Sequence, residues 1–102
     1  MEILETSRFV KLADDYMDDE ELHELKVYLA IRPDAGVVIP GSGGCRKLRW
    51  RGQGRGKRGG FRVIYFYWSS QEQIWLLTMY SKSETENIQP AILKRWKQEI
   101  ES

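Results

Sequence analysis

The chain has 102 residues, 41% of them hydrophobic and 30% charged, with a net charge of +1; that bounds a single domain over residues 1–102 with a small core and no separate catalytic unit. One cysteine, Cys45, excludes an internal disulfide, and a single histidine beside it excludes a Cys/His zinc cluster, so no metal or other cofactor is expected. No apolar run approaches the roughly 20 residues of a membrane span, and the N-terminus lacks the basic and apolar regions of a signal peptide, so a soluble cytoplasmic protein is expected, without membrane contact.

Ile3 and Leu4 form a brief apolar segment, read as an edge strand. Ser7 is the expected N-cap of a first helix, because Phe9, Leu12, Ala13, Tyr16 and Met17 then recur at three- and four-residue spacing. Asp18 with Glu21 resembles a capping box opening a second helix, and acids crowd its first turn, where the macrodipole favours them. Leu22, Leu25, Tyr28 and Leu29 make its apolar stripe, and Pro33 stops it just after Arg32. Val37-Val38-Ile39 and Pro40–Gly44 read as an extended turn.

From Cys45 the period changes to two. Leu48 and Trp50 point one way and Lys47, Arg49 and Arg51 the other, the pattern of a half-buried strand with a cationic open face. A glycine-rich loop over 52–60 leads to Phe61–Trp68, a dense β-branched and aromatic run that predicts a strand. Ser69–Glu72 reads as a hairpin turn and Ile74–Tyr80 as the next antiparallel strand. A last helix opens near Pro90, with Ile92, Leu93, Trp96 and Ile100 as its buried edge. The expected fold class is therefore α+β, a small antiparallel sheet with two N-terminal helices and a C-terminal helix packed on one face.

Charge is unevenly placed along this order. Residues 1–34 carry ten acids against four bases, whereas the window 35–71 holds eight bases, no acid and all nine glycines. Concentrated cation with glycine and adjacent aromatics is the footprint of a polyanion-binding surface, usually RNA or DNA. Arg46, Arg51, Arg55, Lys57 and Arg58 are the candidate RNA-binding residues of this ribbon, since guanidinium and ammonium groups can surround phosphates. The alternative is a solvated loop that is merely basic.

Nucleotide motifs fail on context. Gly54-x-Gly56-x-x-Gly59 matches a dinucleotide fingerprint but opens a strand rather than a helix, and Arg51 and Arg58 stand where a P-loop needs Gly and Ser or Thr. His23 lies among helical acids and reads as a surface residue rather than a general base. Any bond cleavage must then use Lys, Arg and Tyr. That apparatus suits transesterification of RNA, where the 2′-hydroxyl is the substrate's own nucleophile. DNA lacks that group. Trp50, Trp75 and Trp96 read as core, Trp68 less clearly so. Tyr80 and Lys82 close the last strand, and their pairing gains weight if strand order sets them beside Arg62.

Gly41-Ser-Gly-Gly-Cys-Arg-Lys-Leu-Arg-Trp50, the loop Gly-Arg-Gly-Lys-Arg-Gly-Gly60, Phe-Arg-Val-Ile-Tyr65 and Leu77-Thr-Met-Tyr-Ser-Lys82 together resemble the RelE/HigB family of bacterial toxins, nearest its HigB branch with a basic glycine loop. The resemblance implies a small RelE-like toxin that enters the ribosomal A site and cuts mRNA there. It also implies an antitoxin partner, commonly one with a helix-turn-helix domain that binds the operator of its own operon. By position it assigns Lys47 and Arg49 to backbone contact and proton transfer, Arg62 to the phosphorane, and Lys57 and Arg58 to phosphate grip. Lys82 matches the family's lysine after the last strand. The chain departs at Ser83, where many relatives have Arg, and in having no tyrosine after Tyr80, which leaves Tyr80 as one candidate general acid. Two readings from other classes stand beside this one: a non-catalytic inhibitor of the gyrase-poisoning type on the same scaffold, and a plain RNA-binding module.

Overall fold

Thr6, not Ser7, caps the first helix. In the computed structural model, which describes residues 1–51, 60–81 and 88–102, strand β1 (Glu2–Glu5) runs directly into helix α1 (Ser7–Tyr16). The Thr6 hydroxyl accepts from the Phe9 amide at 3.2 Å and lies 3.0 Å from the carbonyls of both Leu76 and Leu77, to which it donates. One side chain thus caps the helix and ties it to the neighbouring strand. Helix α2 (Asp19–Ile31) starts as the sequence predicts, with the Glu21 amide donating to the Asp18 carboxylate at 2.8 Å, and stops at Arg32 before Pro33.

After α2 come β2 (Val37–Val38), β3 (Arg46–Trp50), β4 (Phe61–Trp68), a single 3-10 turn over Ser69–Gln71, β5 (Gln73–Ser81) and α3 (Pro90–Glu101). The strands form one sheet in the order β1-β5-β4-β3-β2. β3 to β5 pair antiparallel, as expected, and β2 adds to them antiparallel, but β1 lies parallel to β5, so the sheet is mixed. The stretch read as an extended turn at Val37-Val38 is a two-residue edge strand opposite Lys47 and Arg46.

The α+β class stands, with one difference in layering. α1 and α2 cover one sheet face: Phe9, Ala13, Tyr16, Met17, Leu25 and Leu29 bury against Leu48, Phe61, Val63 and Tyr65. α3 packs on the opposite face, where Leu93 meets Cys45, Ile64, Phe66 and Leu77, with Trp96 and Ile100 half-buried around them. The reason lies in β4, whose residues are apolar in both alternating sets, so both faces need a cover. Full burial of each such aliphatic or aromatic side chain contributes roughly 1.5–3 kcal/mol. Ile92, expected in the buried edge of α3, is exposed. Trp68 stacks on Phe66 and belongs to the α3 side of the core.

Two polar braces hold the α2–β3 connection. The buried Tyr65 hydroxyl donates to the Pro33 carbonyl and accepts from the Gly36 amide, both at 2.8 Å. Gly36 is required here, because a Cβ would come within 2.8 Å of the Tyr65 ring. Arg46 Nη1 donates to the carbonyls of Gly36 at 2.7 Å and Asp34 at 3.2 Å.

Candidate nucleic-acid interface

Alternation along three adjacent strands builds the site. Phe61, Val63 and Tyr65 of β4 face α1 and α2, so Arg62 points to the α3 side of the sheet. Arg49 is its register partner on β3, and Tyr80 its register partner on β5. Arg49, Arg62 and Tyr80 therefore form a straight cross-strand row on one face; directly opposed residues in such pairs have Cβ atoms roughly 4.5–5.5 Å apart. Lys47, opposite Ile64, sits two residues along β3 on the same face. α3 covers this face over Cys45, Ile64, Phe66 and Leu77, and Tyr80 of the row packs against that cluster.

Tyr80 reaches the row through a bulge. Ile64 pairs with Thr78 but Tyr65 pairs with Leu76, so Leu77 is an extra residue in β5. Ile74 and Leu76 face α1 and α2, and unbroken alternation would send Tyr80 the same way. The bulge reverses the phase, and Tyr80 packs with the α3-side residues instead.

Lys47, Arg49 and Arg51 are exposed, while Arg62 and Tyr80 are half-buried. None of the four cations forms an ion pair with another described residue, in contrast to Lys26 with Glu5 and Lys97 with Glu101. Arg62 Nη1 is buried without a hydrogen-bond partner. Two facing guanidinium groups, one holding an unused donor, can donate to the oxygens of a phosphate, and the phenol beside them can give or take a proton.

The expected residues divide as follows. Lys47, Arg49, Arg62 and Tyr80 share the face, and Arg51 continues the β3 alternation just past the strand. Arg46 lies on the other side of β3, engaged with the carbonyls of Asp34 and Gly36. Arg55, Lys57, Arg58 and Lys82 lie outside the described residues. His23 is exposed on α2, across the sheet from the row. Among the described residues, no group of three His, Cys, Asp or Glu side chains is placed to hold a metal, and no helix is long and apolar enough to cross a membrane.

The one cysteine is structural in its setting. Cys45 is fully buried under α3, its thiol 3.8 Å from the Leu93 carbonyl, and burial pushes its pKa up to about 11. Burial likewise raises the Tyr65 pKa.

No protein-family model matches the sequence. Three solved structures of Escherichia coli proteins are similar in fold. The intact E. coli RelBE toxin–antitoxin complex contains a chain aligned at a TM-score of 0.61 and 16% identity, over 81% of this chain and 98% of that one. A double arginine-to-alanine mutant of E. coli toxin RelE in the free state aligns at 0.62 and 17%, over 89% and 93%. The isolated E. coli RelE toxin aligns at 0.58 and 15%, over 97% of each chain. The TM-scores and the high coverage of both chains agree: the chain has the fold of the RelE toxins.

Proposed function

We propose that this chain is the toxin of a type II toxin–antitoxin pair, on the HigB branch of the RelE fold, and a ribosome-dependent mRNA endoribonuclease. The observation that carries the reading is the Arg49–Arg62–Tyr80 row, two cations and a phenol in direct register across three strands. The RelE fold supports it.

In this reading the 2′-hydroxyl of the message attacks the adjacent phosphorus, and the P–O5′ bond breaks. The products are a 2′,3′-cyclic phosphate and a 5′-hydroxyl end. Lys47 and Arg49 hold the backbone and stabilise the developing 2′ oxyanion as its proton passes to water. Arg62 takes the charge that builds on the phosphorane through its unused donor. Tyr80, beside it, is the candidate to protonate the leaving 5′ oxygen, with Lys82 as the other group at that end. Arg51, Arg55, Lys57 and Arg58 grip message or ribosomal RNA phosphates. The partner is a cognate antitoxin with a helix-turn-helix domain, which neutralises the toxin by covering or displacing its basic face and alone contacts operator DNA. The setting is the cytoplasm.

The test is induction in a bacterial host with mapping of message 5′ ends, with and without translation. Codon-phased cuts that vanish when ribosomes are kept off the message are the expected result. Growth arrest with intact message and damaged DNA would point to a gyrase-type inhibitor, and harmless overexpression to an RNA-binding module.

A further inference from the structure

An apolar groove of about 500 Å³ lies on the other side of β3 from the cationic row. Val27, Tyr28 and Ile31 of α2 form one wall and Trp50 of β3 the other, with His23 and Glu24 at the rim. The Tyr28 and Trp50 rings are 5.4 Å apart and tilted by 54°. Val27 and Ile31 are 44% and 74% exposed, unusual for such residues unless something covers them.

Trp50, the β3 wall of the groove, directly follows Arg49 of the cationic row in sequence. Among the described residues, β2 pairs only with Arg46 and Lys47, so β3 from Leu48 to Trp50 is the free edge of the sheet. Trp50 stands between Arg49 and Arg51, which are both exposed. Alternation sets Arg49 on the face opposite Trp50, Arg51 directly follows the strand, and two residues of extended backbone span about 6.7 Å. That is close to the spacing of successive phosphates in an extended single strand.

We infer that this groove takes one unstacked base of single-stranded RNA whose flanking phosphates lie on Arg49 and Arg51. The inference rests on reading the cationic face as an RNA surface. A phosphate chain following the free edge of β3 can turn one base over that edge, onto the Tyr28 and Trp50 rings. Aromatic faces of this kind receive any base, and stacking supplies the affinity. An apolar protein segment would fill the same walls but would leave Arg49 and Arg51 without anions; RNA brings ring and charge in one chain.

The experiment measures anisotropy of labelled RNA pentanucleotides, 2′-O-methylated to block cleavage, with an abasic residue at each position in turn. The wild-type protein is expected to lose about tenfold in affinity at one position, the low end of the stacking range. Tyr28→Leu, which removes the ring but keeps an apolar side chain, and Val27→Gln, at an exposed site, are expected to remove that positional loss with the salt dependence intact. Equal affinity at every abasic position would overturn the base pocket while sparing the RNA surface. No RNA binding even at low salt would sink the surface reading itself. Variants that lose the antitoxin yet keep the positional loss would make the groove a protein-docking site instead.

Discussion

Arg49 and Arg62 face each other across β3 and β4, two cations in direct register with no described anion between them. Like charges so placed are destabilising, and the buried, unpartnered Nη1 of Arg62 adds a desolvation cost. A neutral side chain suited to a strand at either position is therefore expected to raise stability. The pair makes sense as an arrangement completed by a ligand's negative charge, and it separates stability from activity in a measurable way.

Arg62→Met is expected to raise unfolding free energy by about 1 kcal/mol, by removing the repulsion and the unused donor together. The same substitution should cut message cleavage by roughly 10²–10³-fold, the usual loss when one donor to a developing oxyanion is removed. Urea denaturation and 5′-end mapping check the two arms. A variant that is both less stable and fully active would show that Arg62 serves the fold.

Arg46 and Lys47 are neighbours in sequence with opposite expectations. Arg46→Ala removes donors to the Gly36 and Asp34 carbonyls, and a loss of about 1–2 kcal/mol is expected, with cleavage by the folded fraction retained. Lys47→Ala touches an exposed side chain. Its stability should stay within about 0.5 kcal/mol of wild type, while cleavage falls roughly 10²-fold if it stabilises the developing 2′ oxyanion. Denaturation curves paired with cleavage rates at matched folded protein decide both.

Much of this architecture was legible in residue order, and the failures have definite causes. The α2 cap and stop follow from Asp18, Glu21 and Pro33, whose effects are local. The strand alternation at Lys47, Leu48, Arg49 and Trp50 is equally local, so the cationic face could be drawn without tertiary information. The layering could not, although β4 carried the signal: Phe61-Arg-Val-Ile-Tyr-Phe-Tyr-Trp68 is apolar on both sides of one arginine, a strand that needs helices on both faces. The bulge at Leu77 left no mark in Leu76-Leu77-Thr78-Met79. It is set by how β5 registers against β4, and without it Tyr80 would not meet Arg62. Arg46 was indistinguishable by composition from its basic neighbours, and only its bonds to the chain after α2 set it apart.

Cys45 makes the protein sensitive to alkali in a defined window. Its folded pKa is raised from the 9.0 of a free thiol to about 11 by burial. The unfolded chain therefore loses this proton first as pH rises. The contribution is fully present below pH 9, declines between 9 and 11, and is lost once the folded thiol itself ionises. Denaturant midpoints are expected to fall across that interval. Cys45→Ala should flatten the decline, at the expense of a small cavity under Leu93 that lowers stability at neutral pH. Tyr65 contributes in the same direction above pH 10, since burial raises its pKa too, so the slope of the alanine variant will be reduced rather than removed.

Glu72 offers a test of backbone strain alone. It follows the 3-10 turn with φ 51° and ψ 48°, the left-handed region, and is the one residue other than glycine with positive φ among those described. Its conformation is fixed from both sides: its amide donates to the Ser69 carbonyl at 3.1 Å, and its carbonyl accepts from the Glu2 amide at 3.0 Å, which anchors β1. A side chain in this region costs roughly 1–2 kcal/mol, against about 0.5–1 kcal/mol for the extra unfolded-state freedom of glycine. Glu72→Gly should therefore stabilise the protein by about 0.5–1 kcal/mol and raise its melting temperature by a few degrees. Glu72→Ala keeps the Cβ and the strain while removing the charge, so no comparable gain is expected from it. Equal gains in the two variants would assign the effect to the carboxylate and not to the backbone.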